Sequence, residues 1–238
     1  MDLAAISKQL TDAIRLSSSP IALSFLDEVP RGITLFDSKV PSACTFWTRA
    51  EKGLFFARAE DHENCPVGTL TMGFPLHEKV MSSLQEFVTK MCHASYIGAK
   101  EPESIPRYKN EKKGILYGPL GIFPQIPDLC LIWVNGRQAM LLEEALGTVC
   151  WDAIQRSEAF GRPACAALAV TLNENRTTLS FGCSGMRTFT DIGDDMLLLS
   201  IPGAMLETLS ERLRTTMSAN EEMLSFYRQH RQQFPAST

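Results

Sequence analysis

Four cysteines are the residues of this sequence whose type and placement point to chemistry: Cys44, Cys65, Cys165 and Cys183. Cys65 lies in the stretch DHENCPVGTLTMGF (61–74), three residues after His62 and directly before a proline. Thiolates bind soft metals and iron–sulfur centres, and a cysteine followed by proline also occurs in the ligand run of bacterial ferredoxins. The four cysteines therefore predict a metal or iron–sulfur site, and a 4Fe–4S cluster is the cofactor we expect.

Two other interpretations of the same residues stay open. Cys65 could be the nucleophile of a thiol-dependent enzyme, activated by His62 or by a helix N-terminus, and Arg187 could clamp an anionic ligand. The candidate catalytic residues are thus Cys65, His62 and Arg187. Alternatively, the cysteines are buried structural residues of a non-enzymatic small-molecule binding or sensor module.

The chain has seven cysteines in all. Cys130 lies in the apolar run LCLIWV, whereas Cys92 and Cys150 end or interrupt helical patterns. We expect these three to pack as small hydrophobic residues, because free cysteine is among the most buried residue types.

Segments that match one another surround the four cysteines. The stretch from Pro41 to Cys65 and the stretch from Arg162 to Cys183 each give a cysteine, a short helix, a polar turn, a β-rich run and a second cysteine. A second pair, beginning at Pro127 and at Asp194, gives an aspartate, an apolar strand, a glycine-containing turn and a helix. The pattern indicates an internal duplication. If the halves pack about an approximate two-fold axis, equivalent cysteines meet near that axis.

Interleaved strands and helices without regular βαβ units predict an α+β fold of two related halves packed into one globular unit. We place the N-terminal half, with Cys44 and Cys65, at residues 1–150, and the C-terminal half, with Cys165 and Cys183, at residues 151–238. Residues 3–17 are predicted to form an amphipathic helix and residues 20–26 a strand. A helix is predicted to begin at Pro66, because proline suits the first helical position.

The cysteine pocket is expected to be largely apolar and to accept a small-molecule ligand. Residues 117–127, YGPLGIFPQIP, are predicted to form a loop between two strands that borders this pocket. The side chains expected to line the pocket are Trp47, Met72, Phe74 and Met186.

Composition excludes several classes of protein. The net charge is −4 and the pI is about 5.6, without a Lys/Arg cluster of the kind that neutralises a phosphate backbone, so we expect no nucleic-acid partner. No apolar run is long enough for a membrane span, and the N-terminus does not read as a signal peptide. We therefore expect a cytoplasmic protein, in a compartment where thiols stay reduced. The sequence does not determine the oligomeric state.

The blocks CTFWTRA, DHENCPVG, GRPACAAL and FGCSGMRTFTDIGDDMLLLSIPG resemble the domain-of-unknown-function 169 family over nearly the whole chain. The resemblance implies that the four cysteines, His62 and Arg187 belong to the family pattern. Some members have tyrosine at the position of Glu63 and histidine at that of Met72. The absence of that second histidine here favours sulfur ligation. The family is uncharacterised and implies no reaction.

Overall fold

A computed structural model of the protein describes residues 1–98, 100–109, 111–147 and 159–234. The strands are β1 (Ile21–Leu26), β2 (Phe55–Arg58), β3 (Gly114–Pro119), β4 (Leu129–Val134), β5 (Ala159–Phe160), β6 (Thr178–Ser180) and β7 (Leu197–Pro202). The helices are α1 (Leu3–Ile14), α2 (Thr45–Ala50), α3 (Pro66–Thr71), α4 (Glu78–His93), α5 (Glu101–Ser104), α6 (Gly136–Leu146), α7 (Ala166–Glu174), α8 (Ser184–Thr190) and α9 (Leu206–Gln232). Short 3₁₀ helices are formed by Ala59–His62, Leu120–Ile122 and Gly203–Met205.

One mixed sheet of seven strands organises the chain, in the order β2-β3-β1-β4-β7-β6-β5. Its pairs are antiparallel except for β5 with β6, which is parallel. At the centre, β4 and β7 pair from Leu129 opposite Pro202 to Val134 opposite Leu197. This pairing joins the two predicted halves in one sheet, and it confirms the α+β class. The predicted boundary at 150/151 lies outside the described residues.

Side chains alternate between the two faces of this sheet and build a core on each face. In β3, for example, Ile115 and Tyr117 point to one face and Leu116 points to the other. Helices α1, α6 and α9 cover the second face, where they pack on one another. Helices α2 and α7 cover the first face, and α3 and α8 lie at its margin. All four candidate cysteines belong to the first face, which we call the cysteine face.

The predicted N-terminal helix and first strand are confirmed, with the helix ending earlier than expected. Leu3, Ile6, Leu10 and Ile14 are buried along one side of α1. The side chain of Asp2 caps the helix by accepting a hydrogen bond from the N–H of Ala5, at 3.0 Å. The helix ends at Arg15, whose φ of 56° is left-handed.

The two repeated segments, one with Cys44 and Cys65 and one with Cys165 and Cys183, contain the same order of elements but occupy different places in the sheet. The order α2–β2–Cys65–α3 is matched by α7–β6–Cys183–α8. However, β6 lies next to β7, whereas β2 lies at the sheet edge, separated from β4 by β3 and β1. The matching order of elements is therefore not accompanied by a matching strand order.

The C-terminal segment forms one long helix, whereas its sequence predicts two: one in the repeat that begins at Asp194, and a closing helix over residues 219–234 that is polar enough to lie on the surface. The helical stretch after Asp194 and the closing helix from Ala219 are both parts of α9, which spans 27 residues. Its buried residues are confined to the first part, at Leu206, Leu209 and Leu213. The closing segment is exposed, as its polarity predicted.

Candidate four-cysteine site

Four cysteines from four separate segments come together on the cysteine face of the sheet. Cys44 and Cys165 are buried in its core, and Cys65 and Cys183 are partly buried against the same core. Cys44 is close enough to the other three for their charges to interact with it, and Cys165 is likewise close to Cys65 and Cys183. We call these four residues the four-cysteine site.

Each cysteine of the site is the N-cap residue of a helix, directly before the first helical turn. The pairs are Cys44 with α2, Cys65 with α3, Cys165 with α7 and Cys183 with α8. Pro66 at the start of α3 confirms the predicted helix start. The sulfur of Cys183 accepts a hydrogen bond from the backbone N–H of Met186 at 3.4 Å. Helix N-termini favour negative charge, so this placement suits thiolates.

Burial favours the neutral form of the thiols of Cys44 and Cys165, which we call the inner thiols. The pKa of Cys44 is raised well above its usual value, first by burial and then by the neighbouring Cys165, Cys65 and Cys183. The pKa of Cys165 is also raised, again mainly by burial. A bound metal would reverse this preference, because thiols ligate metals as thiolates and release their protons on binding.

Ser42 connects two of the cysteines. Its hydroxyl oxygen accepts a hydrogen bond from the backbone N–H of Cys44 at 3.4 Å, and the hydroxyl donates to the sulfur of Cys65 at 3.8 Å. The turn that holds Ser42 is closed by the N–H of Thr45, which donates to the Ser42 carbonyl at 3.0 Å. Ser42 is 5% exposed, so its hydroxyl interacts with the protein rather than with solvent.

Glycine at position 68 allows α3 to approach the Cys44 turn closely. A Cβ atom on Gly68 would lie 2.8 Å from the Cβ of Ala43 and 3.0 Å from the sulfur of Cys65. Both separations are shorter than ordinary contacts between heavy atoms. The close packing of these two segments therefore depends on a residue without a side chain.

His62 is buried and both of its ring nitrogens are engaged. Nδ1 lies 2.7 Å from the carbonyl oxygen of Arg58, which can only accept, so Nδ1 carries the proton. Nε2 then accepts from the Tyr117 hydroxyl at 2.9 Å. Burial lowers the pKa of His62 to about 4, and the ring packs against Phe46 and Phe74. In this state His62 orients Tyr117 and offers no free nitrogen to a metal.

Tyr117 extends this hydrogen-bonded chain towards the site. Its hydroxyl gives its proton to His62, and its oxygen is near enough to Cys44 and Cys165 for their charges to raise the pKa of the phenol, after burial as the main cause. A neutral thiol at either cysteine can donate to such an oxygen. Tyr117 therefore belongs to the surroundings of the inner thiols.

Arg187 makes hydrogen bonds to the backbone before and after α8. Its guanidinium donates to the carbonyl oxygens of Gly193 and Phe181, each at 2.7 Å, and of Met196 at 3.1 Å. These bonds hold the chain on both sides of α8 together. The predicted role as an anion clamp would require Arg187 to give up part of this network.

The apolar residues predicted to line the pocket are all buried in the same core as the cysteines. Trp47, Met72, Phe74 and Met186 have exposures of 1–3%. The surroundings of the site are therefore apolar, and metal-free thiols fit that environment as neutral groups.

The prediction that residues 117–127 form a loop bordering the cysteines is wrong beyond Tyr117. Residues up to Pro119 belong to β3, which pairs with both β1 and β2. After Pro119 the chain crosses to the opposite face, where Leu120 and Phe123 pack in the core beneath α1. Pro119 itself lines a surface groove together with residues of α1. The glycines and prolines in this segment serve the end of a strand and a crossing to the other face.

Cys130 and Cys92 are not among the cysteines whose charges interact with Cys44 or Cys165. Cys130 is buried in β4 on the opposite face, and its thiol pKa is raised by burial, so it packs as predicted. Cys92 is a partly buried residue of α4. Cys150 lies outside the described residues.

Ser42, Thr71 and Tyr117 were not identified by the sequence pattern. Thr71 donates to the Val67 carbonyl at 2.8 Å and lies beside the sulfur of Cys165. Ser42 is two residues before Cys44, a local signal that the sequence does contain. Tyr117 is distant in sequence from every cysteine of the site and is brought there only by the sheet.

Within the described ranges, no group of three or more His, Cys, Asp or Glu side chains is placed to hold a metal ion. Four sulfurs around one tetrahedral ion lie about 3.8 Å apart, given metal–sulfur bonds of about 2.3 Å. A cluster with several metal atoms spreads its thiolates further apart than one ion does.

Among the described residues, no helix combines the length and apolar character that crossing a membrane requires.

Fold and site together define an α+β protein with four cysteines at the starts of four helices, gathered on one face of a mixed sheet. The chain belongs to the domain-of-unknown-function 169 family, described as uncharacterised ArCR, whose profile matches residues 9–212. No curated protein and no solved structure matches the chain.

Proposed function

We propose that the protein binds an iron–sulfur cluster, of the 4Fe–4S type, through Cys44, Cys65, Cys165 and Cys183. The observation that carries the proposal is that four cysteines from four segments meet on one face of the sheet, each at a helix N-cap. Packing alone gives no reason for four cysteines to share that position. Thiolate ligation does, because a helix N-terminus favours a negatively charged group, and the sulfur of Cys183 already accepts a hydrogen bond from a backbone N–H there.

The donor set favours a cluster over other metal centres. The nearest imidazole, His62, has both nitrogens engaged, and the groups that gather here are sulfurs, which soft metals and iron–sulfur centres prefer. Four cysteines, whose charges interact at Cys44, supply the kind of donor that iron–sulfur clusters use.

The residues divide into an inner and an outer pair. Cys44 and Cys165 would anchor the buried side of the cluster, while Cys65 and Cys183 would hold its more accessible side. When bound, such a cluster supplies electron transfer or, with one open iron, a Lewis-acid site for a small molecule. A small-molecule ligand would therefore approach beside Cys65 and Cys183, over the apolar surroundings of the site.

We further infer that the two cysteine units arose from one duplicated segment. The matching order of helix, strand, cysteine and helix supports a duplication of the local unit, and the different sheet positions of β2 and β6 limit it to that unit. We also propose a cytoplasmic location, since the six cysteines of the described residues are free thiols, as reducing compartments maintain them.

Anaerobic purification followed by iron and acid-labile sulfide analysis tests the cluster. We expect both elements in the purified protein, together with a broad visible absorption. Cys65→Ser should lose cluster uptake on anaerobic reconstitution, because a serine hydroxyl is a poor ligand for iron–sulfur centres.

Cys92→Ser is the matched control, since it makes the same change in a partly buried cysteine of the surface helix α4. It should reconstitute like the wild type. Colourless protein without iron or sulfide after anaerobic reconstitution would contradict the proposal, and so would unchanged uptake by Cys65→Ser.

A thiol-dependent enzyme using Cys65 is the second candidate. Partial exposure, the N-cap position and the hydroxyl of Ser42 at 3.8 Å favour reactivity at this cysteine. Metal-free wild-type protein whose Cys65 is alkylated much faster than Cys92 would support this candidate. A binding or sensor module with structural cysteines would show neither a cluster nor a reactive Cys65.

A further inference from the structure

We propose that the closing part of α9 and the two residues after it, residues 219–234, form an interface through which two copies of this chain pair as antiparallel helices. We call this part the α9 extension. It follows the residues that match the family profile, which end at 212. The proposal does not depend on the four-cysteine site, because α9 packs on the opposite face of the sheet.

The α9 extension carries an exposed stripe of mainly apolar and aromatic side chains. The six residues of the stripe are Ala219, Met223, Phe226, Tyr227, His230 and Phe234. Their spacing of three or four residues, with one adjacent pair, places them on one side of a helix. The four large apolar members are 45–67% exposed. The rings of Phe226, His230 and Phe234 contact one another in order, with centroids 6.3 Å and 5.2 Å apart. Exposed apolar surface of this extent marks an interaction site.

The stripe is not the side by which α9 packs on the rest of the protein. That side holds the buried Leu206, Leu209 and Leu213, and it continues to Asn220, which donates to the Glu144 carboxylate at 2.7 Å. With 3.6 residues per turn, the stripe lies about a quarter of a turn around the helix axis from this side. A second helix can therefore pack on the stripe without displacing α9.

The order of side chains along the stripe is complementary to itself in the antiparallel direction. In an antiparallel pair centred between Phe226 and Tyr227, residues equally far from the centre lie at the same height. The pairs at equal height, one residue from each copy, are Phe226 with Tyr227, Met223 with His230, Ala219 with Phe234 and Glu222 with Arg231. The small Ala219 thus leaves room for the large Phe234, and aromatic rings meet at the centre.

Charge complementarity favours a second copy as the occupant and sets the direction of the pair. The α9 extension begins with the acidic Glu221 and Glu222 and ends with the basic Arg228 and Arg231, all four exposed. An antiparallel pair brings the acidic part of one copy level with the basic part of the other, whereas a parallel pair would bring like charges level. Packed helices lie about 8–10 Å apart, comparable to the screening length at physiological salt, so these charges still interact.

Sedimentation equilibrium of the full chain, in reducing buffer that prevents disulfides between copies, measures the pairing. The interface is only about 24 Å long, so we expect a reversible dimer and not an obligate one. The average mass should rise from the monomer mass of 26.4 kDa towards twice that value between about 1 μM and about 100 μM protein.

Phe226→Glu places two like charges at the centre of the pair and should raise the dissociation constant about tenfold or more. Phe226 is 57% exposed in the single chain, so the fold should be retained, and urea unfolding checks this. Phe87→Glu makes the same change at an exposed phenylalanine of α4 and should leave the dimer unchanged.

Charge reversal tests the direction of the pair. Glu222→Arg and Arg231→Glu should each weaken the dimer, because each sets like charges level with one another. The double variant Glu222→Arg/Arg231→Glu restores opposite charges in the antiparallel pair and should dimerise like the wild type.

A wild-type chain that remains monomeric over the whole concentration range overturns the proposal. Sedimentation of that monomer with vesicles of phosphatidylcholine and phosphatidylglycerol would then identify a lipid surface as the occupant instead of a second copy. An unchanged dimer in Phe226→Glu overturns the stripe as the interface. Single charge reversals without effect, or a double variant as weak as the single ones, overturn the antiparallel register.

Discussion

Replacing His62 with glutamine should change how the stability of the protein depends on pH. The neutral ring of His62 is held between the Arg58 carbonyl and the Tyr117 hydroxyl and is 1% exposed. Glutamine can also donate and accept a hydrogen bond, but it does not titrate. His62→Gln therefore removes the titration while retaining groups that can replace both bonds.

The expected magnitude follows from the pKa of His62. Burial lowers this pKa from 6.5 to about 4 in the folded protein. Between these values the unfolded chain binds more protons than the folded one, so the free energy of unfolding decreases as the pH falls through this window. Each pKa unit corresponds to about 1.4 kcal/mol, which gives a total loss of about 3.5 kcal/mol. This loss is negligible above pH 7, reaches about 3 kcal/mol at pH 4 and is complete only below the folded-state pKa.

Urea unfolding of wild type and His62→Gln between pH 7.5 and pH 4 measures this effect. At pH 7.5 the variant should be the less stable protein, because the aromatic packing of the ring against Phe46 and Phe74 is lost. Towards pH 4 the difference in the free energy of unfolding should shrink by about 3 kcal/mol. Carboxyl groups that titrate in the same range are common to both proteins and cancel in the difference.

His93→Gln, a change at an exposed histidine in the last turn of α4, is the control and should follow the wild-type curve. Parallel curves for wild type and His62→Gln would show that burial does not hold His62 in its neutral form.

Two further predictions concern backbone features of the fold, and urea unfolding checks both. Gly203→Ala should lower the free energy of unfolding by about 3 kcal/mol or more, because the added Cβ would lie 1.7 Å from the carbonyl oxygen of Pro127. The control Gly136→Ala has no atom within 4 Å of its new Cβ, and an equal loss there would refute the steric argument. Asn135→Ala should cost about 1 kcal/mol, since Asn135 and Gln138 form a capping box at the start of α6. An unchanged urea midpoint would mean that the cap contributes nothing.

Local sequence signals predicted the parts of the site that depend on neighbouring residues. Proline after Cys65 predicted the start of α3, and the apolar spacing from Leu3 to Ile14 predicted α1. Both features are decided within a few residues, where helix propensity and capping dominate. The same holds for the burial of Cys130 in an apolar run.

Features that depend on distant segments were missed. The turn around His62 is polar in sequence. The His62 ring is nevertheless buried, because it packs against Phe46, Phe74 and Tyr117. Glycine and proline in residues 117–127 indicated a loop, but β1 and β2 flank this part of the chain and extend β3 to Pro119. Tertiary context overrides local propensity most strongly in such strands.

The central pairing of β4 with β7 has a consequence for the order in which the molecule can form. Strand β1 pairs with β3 and β4, which come from the middle of the chain, and β4 also pairs with β7, which lies near the C-terminal end. These pairs can form only after the later strand has been synthesised. Pairings between such distant segments make folding slow, and the N-terminal part of a chain leaves the ribosome first. Cys44 and Cys65 therefore emerge well before Cys165 and Cys183 exist. During synthesis the first two thiols are without their partners, and the complete site can arise only after β7 has joined the sheet.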